Sequence, residues 1–153
     1  MSWQDLIPKT AISQETMEAL GPVIEGQRLF NHGQYLDAEA VYRQALGHFP
    51  HKSAGRVLIY NKLGILYEKT GDSRRALESY EKSVQEGALT PFTYQRMSHL
   101  HLEARRLHNA LACAQQGIKV LKKARTNLPQ EIYFWFAFQK LKHKITRRMR
   151  LDG

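Results

Sequence analysis

The chain has 153 residues, 42% hydrophobic and 24% charged, with five prolines and one cysteine, enough to bury one core without disulfides or metals and too apolar for wholesale disorder. The net charge of +9 is concentrated: residues 119–153 carry ten Lys/Arg against Glu131 and Asp152, whereas residues 1–118 carry 13 against 12 acids. Cys113 has no partner for an internal bridge, the acidic-dotted start does not read as a signal peptide, and the longest apolar run, Ile132 to Phe138, is far short of the ~18 residues of a membrane span, so the expected setting is cytoplasmic.

In chain order, residues 1–18 offer Trp3, Leu6 and Ile7 before Pro8, then Ser13 as a cap for a helix that leads into the first repeated unit. This segment is expected to pack on that unit. From Ala19 to Lys52 runs a helical hairpin with Gly26 and Leu29 on its first helix, Gly33-Gln34 at the turn, Ala38 and Tyr42 on its second helix, and Pro50 after it. Pro22 and Glu25 stand where the next unit has an aromatic residue and a leucine, and Ser53 to Arg56 reads as a four-residue insertion.

The unit from Val57 to Thr90 has the sharpest pattern: Tyr60-x-x-Leu63-Gly64-x-x-Tyr67, then Gly71-Asp72, then Ala76-x-x-x-Tyr80. Leu63, Gly64 and Tyr67 share one helical face, where a glycine lets the facing helix approach closely. Ala76 gives the same freedom on the second helix, and Tyr80, one turn on, fills the gap. Gly71 suits a left-handed helix end and Asp72 can cap the next helix.

Ala110 lies 34 residues after Ala76, with Tyr94 and Met97 placed like Tyr60 and Leu63, so a third hairpin runs from Pro91 to about Ala124. Ser98, His101 and Ala114 break its pattern, and its helix contacts are expected to be looser or rearranged. From Leu128 to Leu151 one long helix is expected, with Pro129 in its first turn and Phe134, Phe138, Leu141, Ile145 and Met149 spaced by three or four. Residues 125–153 thus form a basic amphipathic capping helix. Tyr133, Trp135 and Phe136 fall outside its apolar stripe and are either buried by neighbouring repeats or exposed for a partner or a second copy of the chain.

The middle pattern resembles the tetratricopeptide-repeat family, with Tyr60 where the family often has tryptophan and Tyr80 where it has phenylalanine. The resemblance extends over residues 19–124 as units 19–52, 57–90 and 91–124. It implies an all-α, right-handed superhelix of about three helical hairpins with a long C-terminal capping helix. It also implies a protein–protein interaction module, an adaptor, scaffold or chaperone-like protein, holding a peptide or helix on the inner surface lined by the first helix of each repeat. Carried onto this sequence, the groove consists of Leu58, Asn61, Lys62, Ile65 and Lys69 with Phe92, Gln95, Arg96 and His99. Lys62, Lys69 and Arg96 would meet carboxylates of a short acidic segment while Ile65 and Phe92 supply apolar contact. Some relatives clamp the terminal carboxylate of heat-shock chaperones; Val23, Gln27, Lys62 and Phe92 depart from that clamp, and only Arg96 matches it.

The rival reading uses the tail, where Lys140, Lys142, Lys144, Arg147, Arg148 and Arg150 could meet nucleic-acid phosphates or another anionic surface. Self-association through the tail aromatics is a third possibility. Catalysis is the least supported class: Cys113 lies among alanines with no evident histidine arrangement, and no glycine run cradles phosphate. His99 and His101, two apart on a helix, face different ways, and His48 and His51 lack ligand companions, so neither a metal nor a cofactor is expected.

Overall fold

A computed structural model describes residues 14–124 and 129–152. The expected contributions of Trp3, Leu6, Ile7, Pro8, Ser13 and Leu128 lie outside the described residues. All regular structure among the described residues is helical: α1 (Gln14–Asn31), α2 (Tyr35–Ala45), α3 (Ala54–Lys69), α4 (Ser73–Gln85), α5 (Pro91–Glu103), α6 (Leu107–Ala124) and α7 (Pro129–Leu151). One turn of 3-10 helix, Leu46–His48, follows α2. The chain divides into two compact units, residues 1–50 and 51–153.

In the first unit α1 packs on α2, with Ala19, Val23, Leu29, Ala38, Tyr42 and Ala45 buried. α1 starts at Gln14 and carries Pro22 inside it. Gly26 lies directly against the Tyr42 ring, so that a Cβ there would come within 2.6 Å of it.

The second unit pairs α3 with α4 and α5 with α6, and lays α7 along α6 and part of α5. Ser53 caps α3 by accepting from the Arg56 N–H at 3.3 Å, and Asp72 caps α4 by accepting from the Arg75 N–H at 2.9 Å. Ile59, Leu63, Leu66, Tyr67, Ala76 and Tyr80 form the α3/α4 core, each nearly inaccessible. Gly64 meets the Tyr80 ring as Gly26 meets Tyr42: an added Cβ would sit 2.5 Å from ring carbon. The Tyr80 hydroxyl then donates to Glu68 at 2.7 Å, satisfying the polar end of a buried ring.

The turn that closes each hairpin repeats one hydrogen-bond pattern. Asp72 N–H reaches back to Tyr67 C=O at 2.8 Å and Gly71 N–H to Glu68 C=O at 3.1 Å, the double closure that a left-handed residue at the helix end permits. Gly33 in the first turn and Gly71 in the second take that conformation at φ +77° and +80°. In the third turn the same position is Arg105, at φ +56°, where a Cβ is sterically disfavoured.

The third hairpin is rearranged and not loose. Ser98 and Ala114 replace the glycine and tyrosine, and both are fully buried, with the Ser98 hydroxyl donating to the Ala110 carbonyl at 2.7 Å. The glycine-to-ring contact reappears one layer later. Gly117 on α6 faces Phe138 on α7, where an added Cβ would fall 2.1 Å from the ring. Phe138 packs with Ala114 and Leu121 over Tyr94, Ile118 and Phe134, while Leu141 and Ile145 pack with Leu102 and Ala110 and are flanked by Met149. The apolar stripe of the last helix therefore covers the third hairpin.

Two stability outcomes follow from these contacts. Gly64→Ala and Gly117→Ala should each lower the unfolding free energy by roughly 1–3 kcal/mol in urea titrations followed by circular dichroism, since overpacking outweighs the helix-propensity gain. Arg105→Gly should raise it by up to about 1 kcal/mol by relieving the left-handed backbone; a loss of stability there would show that the Arg105 side chain contributes more than its backbone costs.

Candidate functional site

The face assembled from α3 and α5 lies within the second unit. Leu58 and Lys69 are exposed, and Asn61, Lys62, Ile65, Phe92, Gln95, Arg96 and His99 are half-buried. Two polar ties fix α3 beside α5. Thr93 Oγ1 donates to Asn61 Oδ1 at 3.0 Å, and the Arg96 guanidinium forms a two-armed ion pair with the Glu68 carboxylate, its Nε at 2.9 Å from Oε1. Phe92 packs edge-on against Tyr80 with centroids 6.2 Å apart.

Asn61 and Arg96 are therefore already engaged by the fold. The Glu68 hydrogen bond holds the Arg96 pKa above its ordinary value, opposed by burial. Arg96, expected to meet a ligand carboxylate, is here paired with the Glu68 carboxylate from within the chain. Glu68 and Thr93 were missed in the sequence. Their signal was register: each stands on a first helix about one repeat from a complementary side chain on the adjacent first helix.

His99 is held toward its neutral form. Burial first, and repulsion from Arg96 second, hold its pKa below the ordinary histidine value, and Lys144 of α7 contributes further repulsion. What the α3/α5 face offers a ligand is thus apolar surface at Leu58, Ile65 and Phe92, polar groups at Gln95 and His99, and the exposed ammonium of Lys69.

At one end of α3 a shallow cleft of about 490 Å³ lies between its first turns and the loop joining α4 to α5, with Leu58, Asn61, Glu86 and Leu89 among its walls. Leu58 is 40% exposed and Leu89 72%, so the cleft is an apolar notch with a polar rim. Glu86 organises that rim. It accepts from the Lys52 backbone N–H at 2.5 Å and the Arg56 Nε at 2.7 Å, while His51 lies 3.4 Å away. Those bonds, the backbone one foremost, hold the Glu86 carboxyl below the usual range.

The remaining expected groups separate. Lys140, Lys142, Lys144, Arg147, Arg148 and Arg150 are all exposed along α7, as are Tyr133, Trp135 and Phe136. Of the two readings of those aromatics, the structure selects exposure. Cys113 is half-buried and burial pushes its thiol up to about 11, which keeps it protonated at neutral pH. His101 is buried and His99 is not. Among the described residues no three His, Cys, Asp or Glu side chains gather as a metal site, and no helix is long and apolar enough to cross a membrane.

Antiparallel helix pairs repeating with glycine seated on an aromatic ring, and turns closed in one pattern, define a helical-hairpin repeat protein. Residues 57–86 match the tetratricopeptide repeat family model. The fold is that of tetratricopeptide-repeat structures. Solved structures share the fold. The type III secretion chaperone SycD of Yersinia enterocolitica, in complex with a peptide of the translocator YopD, is 16% identical over 92% of this chain and 99% of its own, with a TM-score of 0.72. The TPR2B domain of yeast Sti1 in its pHsp70 complex is 14% identical over 86% and 98%, at 0.69. The first such unit of Spaghetti, bound to the HSP90 peptide SRMEEVD, is 15% identical over 92% and 99%, at 0.68. No curated protein sequence matches the chain significantly.

The Glu86 rim has a pH signature. A carboxyl with a depressed folded pKa stabilises the fold above the unfolded value, and that stabilisation is lost as pH falls through the folded one. Glu86→Gln should lower the melting temperature near pH 7 and shrink the loss that the parent chain shows between about pH 7 and about pH 3. An unchanged acid limb in the variant would remove Glu86 from the acid response.

Proposed function

We propose that this chain is a protein–protein interaction module that holds a short peptide or helix of a partner against the face formed by α3 and α5. The observation that carries the reading is a half-exposed row of apolar and polar side chains, Leu58, Ile65, Phe92 and Gln95, on two helices already fixed by their own ties. A pre-organised face spends little conformational entropy on binding. Structures that share the fold support the reading, since SycD holds a YopD peptide and Spaghetti an HSP90 peptide.

The role is one of binding rather than chemistry, in a cytoplasmic setting. The partner segment is expected to anchor apolar side chains at Leu58 and Ile65 and to place a carboxylate near Lys69. Recognition through a clamped chain terminus is not part of this reading, because Arg96 is held by Glu68.

A photo-reactive residue at Ile65 tests it directly in cell lysate. It is expected to cross-link a distinct protein segment, and Leu58→Glu with Lys69→Glu should cut the yield about tenfold, as loss of a central anchor does. Leu36→Glu, at an 84% exposed position on α2, should leave the yield unchanged. Equal yields from all three chains would sink the proposal.

A further inference from the structure

The outer side of α7 is a second surface of a different kind, independent of the α3/α5 face. Its inner side is used: Phe138, Leu141 and Ile145 are buried against α5 and α6. Opposite them, at helical spacing, stand Tyr133, Phe136, Lys140 and Arg147, all exposed. Ile132 is 53% exposed, Tyr133 66%, Trp135 43% and Phe136 63%. Among the described residues none of the six basic side chains of α7 takes part in an ion pair.

On this outer strip the exposed apolar and basic groups are segregated along the helix axis. Apolar, mostly aromatic residues fill the span from 132 to 136 and bases punctuate the span from 140 to 150, a strip of about 27 Å in all. A nucleic-acid strand alternates bases and phosphates and calls for stacking rings interleaved with cations. A membrane calls for an apolar side running the length of the helix beneath a polar one. Neither pattern is present on the outer strip, since the apolar side of α7 is already covered by α5 and α6. For a second copy of the chain only the aromatic end is complementary, and it exposes on the order of 450 Å², short of the ~800 Å² that each partner brings to a stable interface.

We infer that the outer strip of α7 docks an amphipathic segment of a partner protein in which an apolar cluster adjoins an acidic block. The apolar cluster covers Ile132, Trp135 and Phe136. The acidic block lies along Lys140, Arg147 and Arg150. Laid antiparallel as a helix, such a segment places its acids in its own first turns, where its dipole also favours them.

The test uses the full chain and fluorescein-labelled peptides of about 18 residues, long enough to form a docked helix. One peptide has leucines at helical spacing in one half and glutamates in the other; the second is a scramble of the same composition. Oligo-uridylate RNA and phosphatidylcholine vesicles containing phosphatidylserine are measured beside them at moderate salt. The patterned peptide should bind at least about tenfold more tightly than the scramble and than the RNA or vesicles. Trp135→Ala with Phe136→Ala, and separately Arg147→Glu with Arg150→Glu, should each weaken it about tenfold, while Leu58→Glu with Lys69→Glu leaves it unchanged. All four α7 positions are exposed, and circular dichroism checks that each variant keeps its fold. Peptide binding should also protect α7 amides from hydrogen exchange. Absent or equal binding of the two peptides, tighter retention of RNA or vesicles, or dimerisation through Trp135 that the peptide does not dissolve overturns the inference.

Discussion

A glycine seated on an aromatic ring is the contact from which the rest of the molecule is built. Without a Cβ at Gly64 the α3 backbone comes down onto the Tyr80 ring, and that approach sets the separation of the two helices. The ring is then buried, its hydroxyl needs a partner, and Glu68 provides one. Glu68 in turn holds Arg96 on the next hairpin. One small residue thus leads through a ring and a carboxylate to the placement of α5.

That chain of dependence engages part of the candidate binding face within the fold itself. Asn61 and Arg96 project from the first helices, as ligand-contacting side chains would, but each is spent on keeping α3 and α5 in register. The exchange has a benefit. A face whose helices are cross-tied by an amide–hydroxyl bond and an ion pair resists being pried apart when a segment docks on it. The apolar positions Leu58, Ile65 and Phe92 then carry the contact area.

Much of the fold was legible because the hairpin pattern is made of residues with single-purpose chemistry. Gly64 and Tyr80 allow few other readings, and Gly71-Asp72 names both the end of one helix and the cap of the next. The third hairpin was less legible since Ser98 and Ala114 are both small, and sequence spacing does not show that the missing ring arrives from Phe138, outside the repeat. Ion pairs between repeats were hidden for another reason: Glu68 and Arg96 are 28 residues apart and each looks like an ordinary surface charge. The exposure of Tyr133, Trp135 and Phe136 depended on what packs on α7, which periodicity alone leaves open.

Moving the ring from within a hairpin to the helix after it changes the order in which the molecule can be completed. The middle hairpin holds its own aromatic residue and can close during synthesis soon after Tyr80 leaves the ribosome. The outer side of α6 must wait for Phe138, 21 residues beyond Gly117, so Gly117 and Ala114 pass through an interval without the ring that covers them. An early stop before that point would leave a ringless final layer for quality control to recognise.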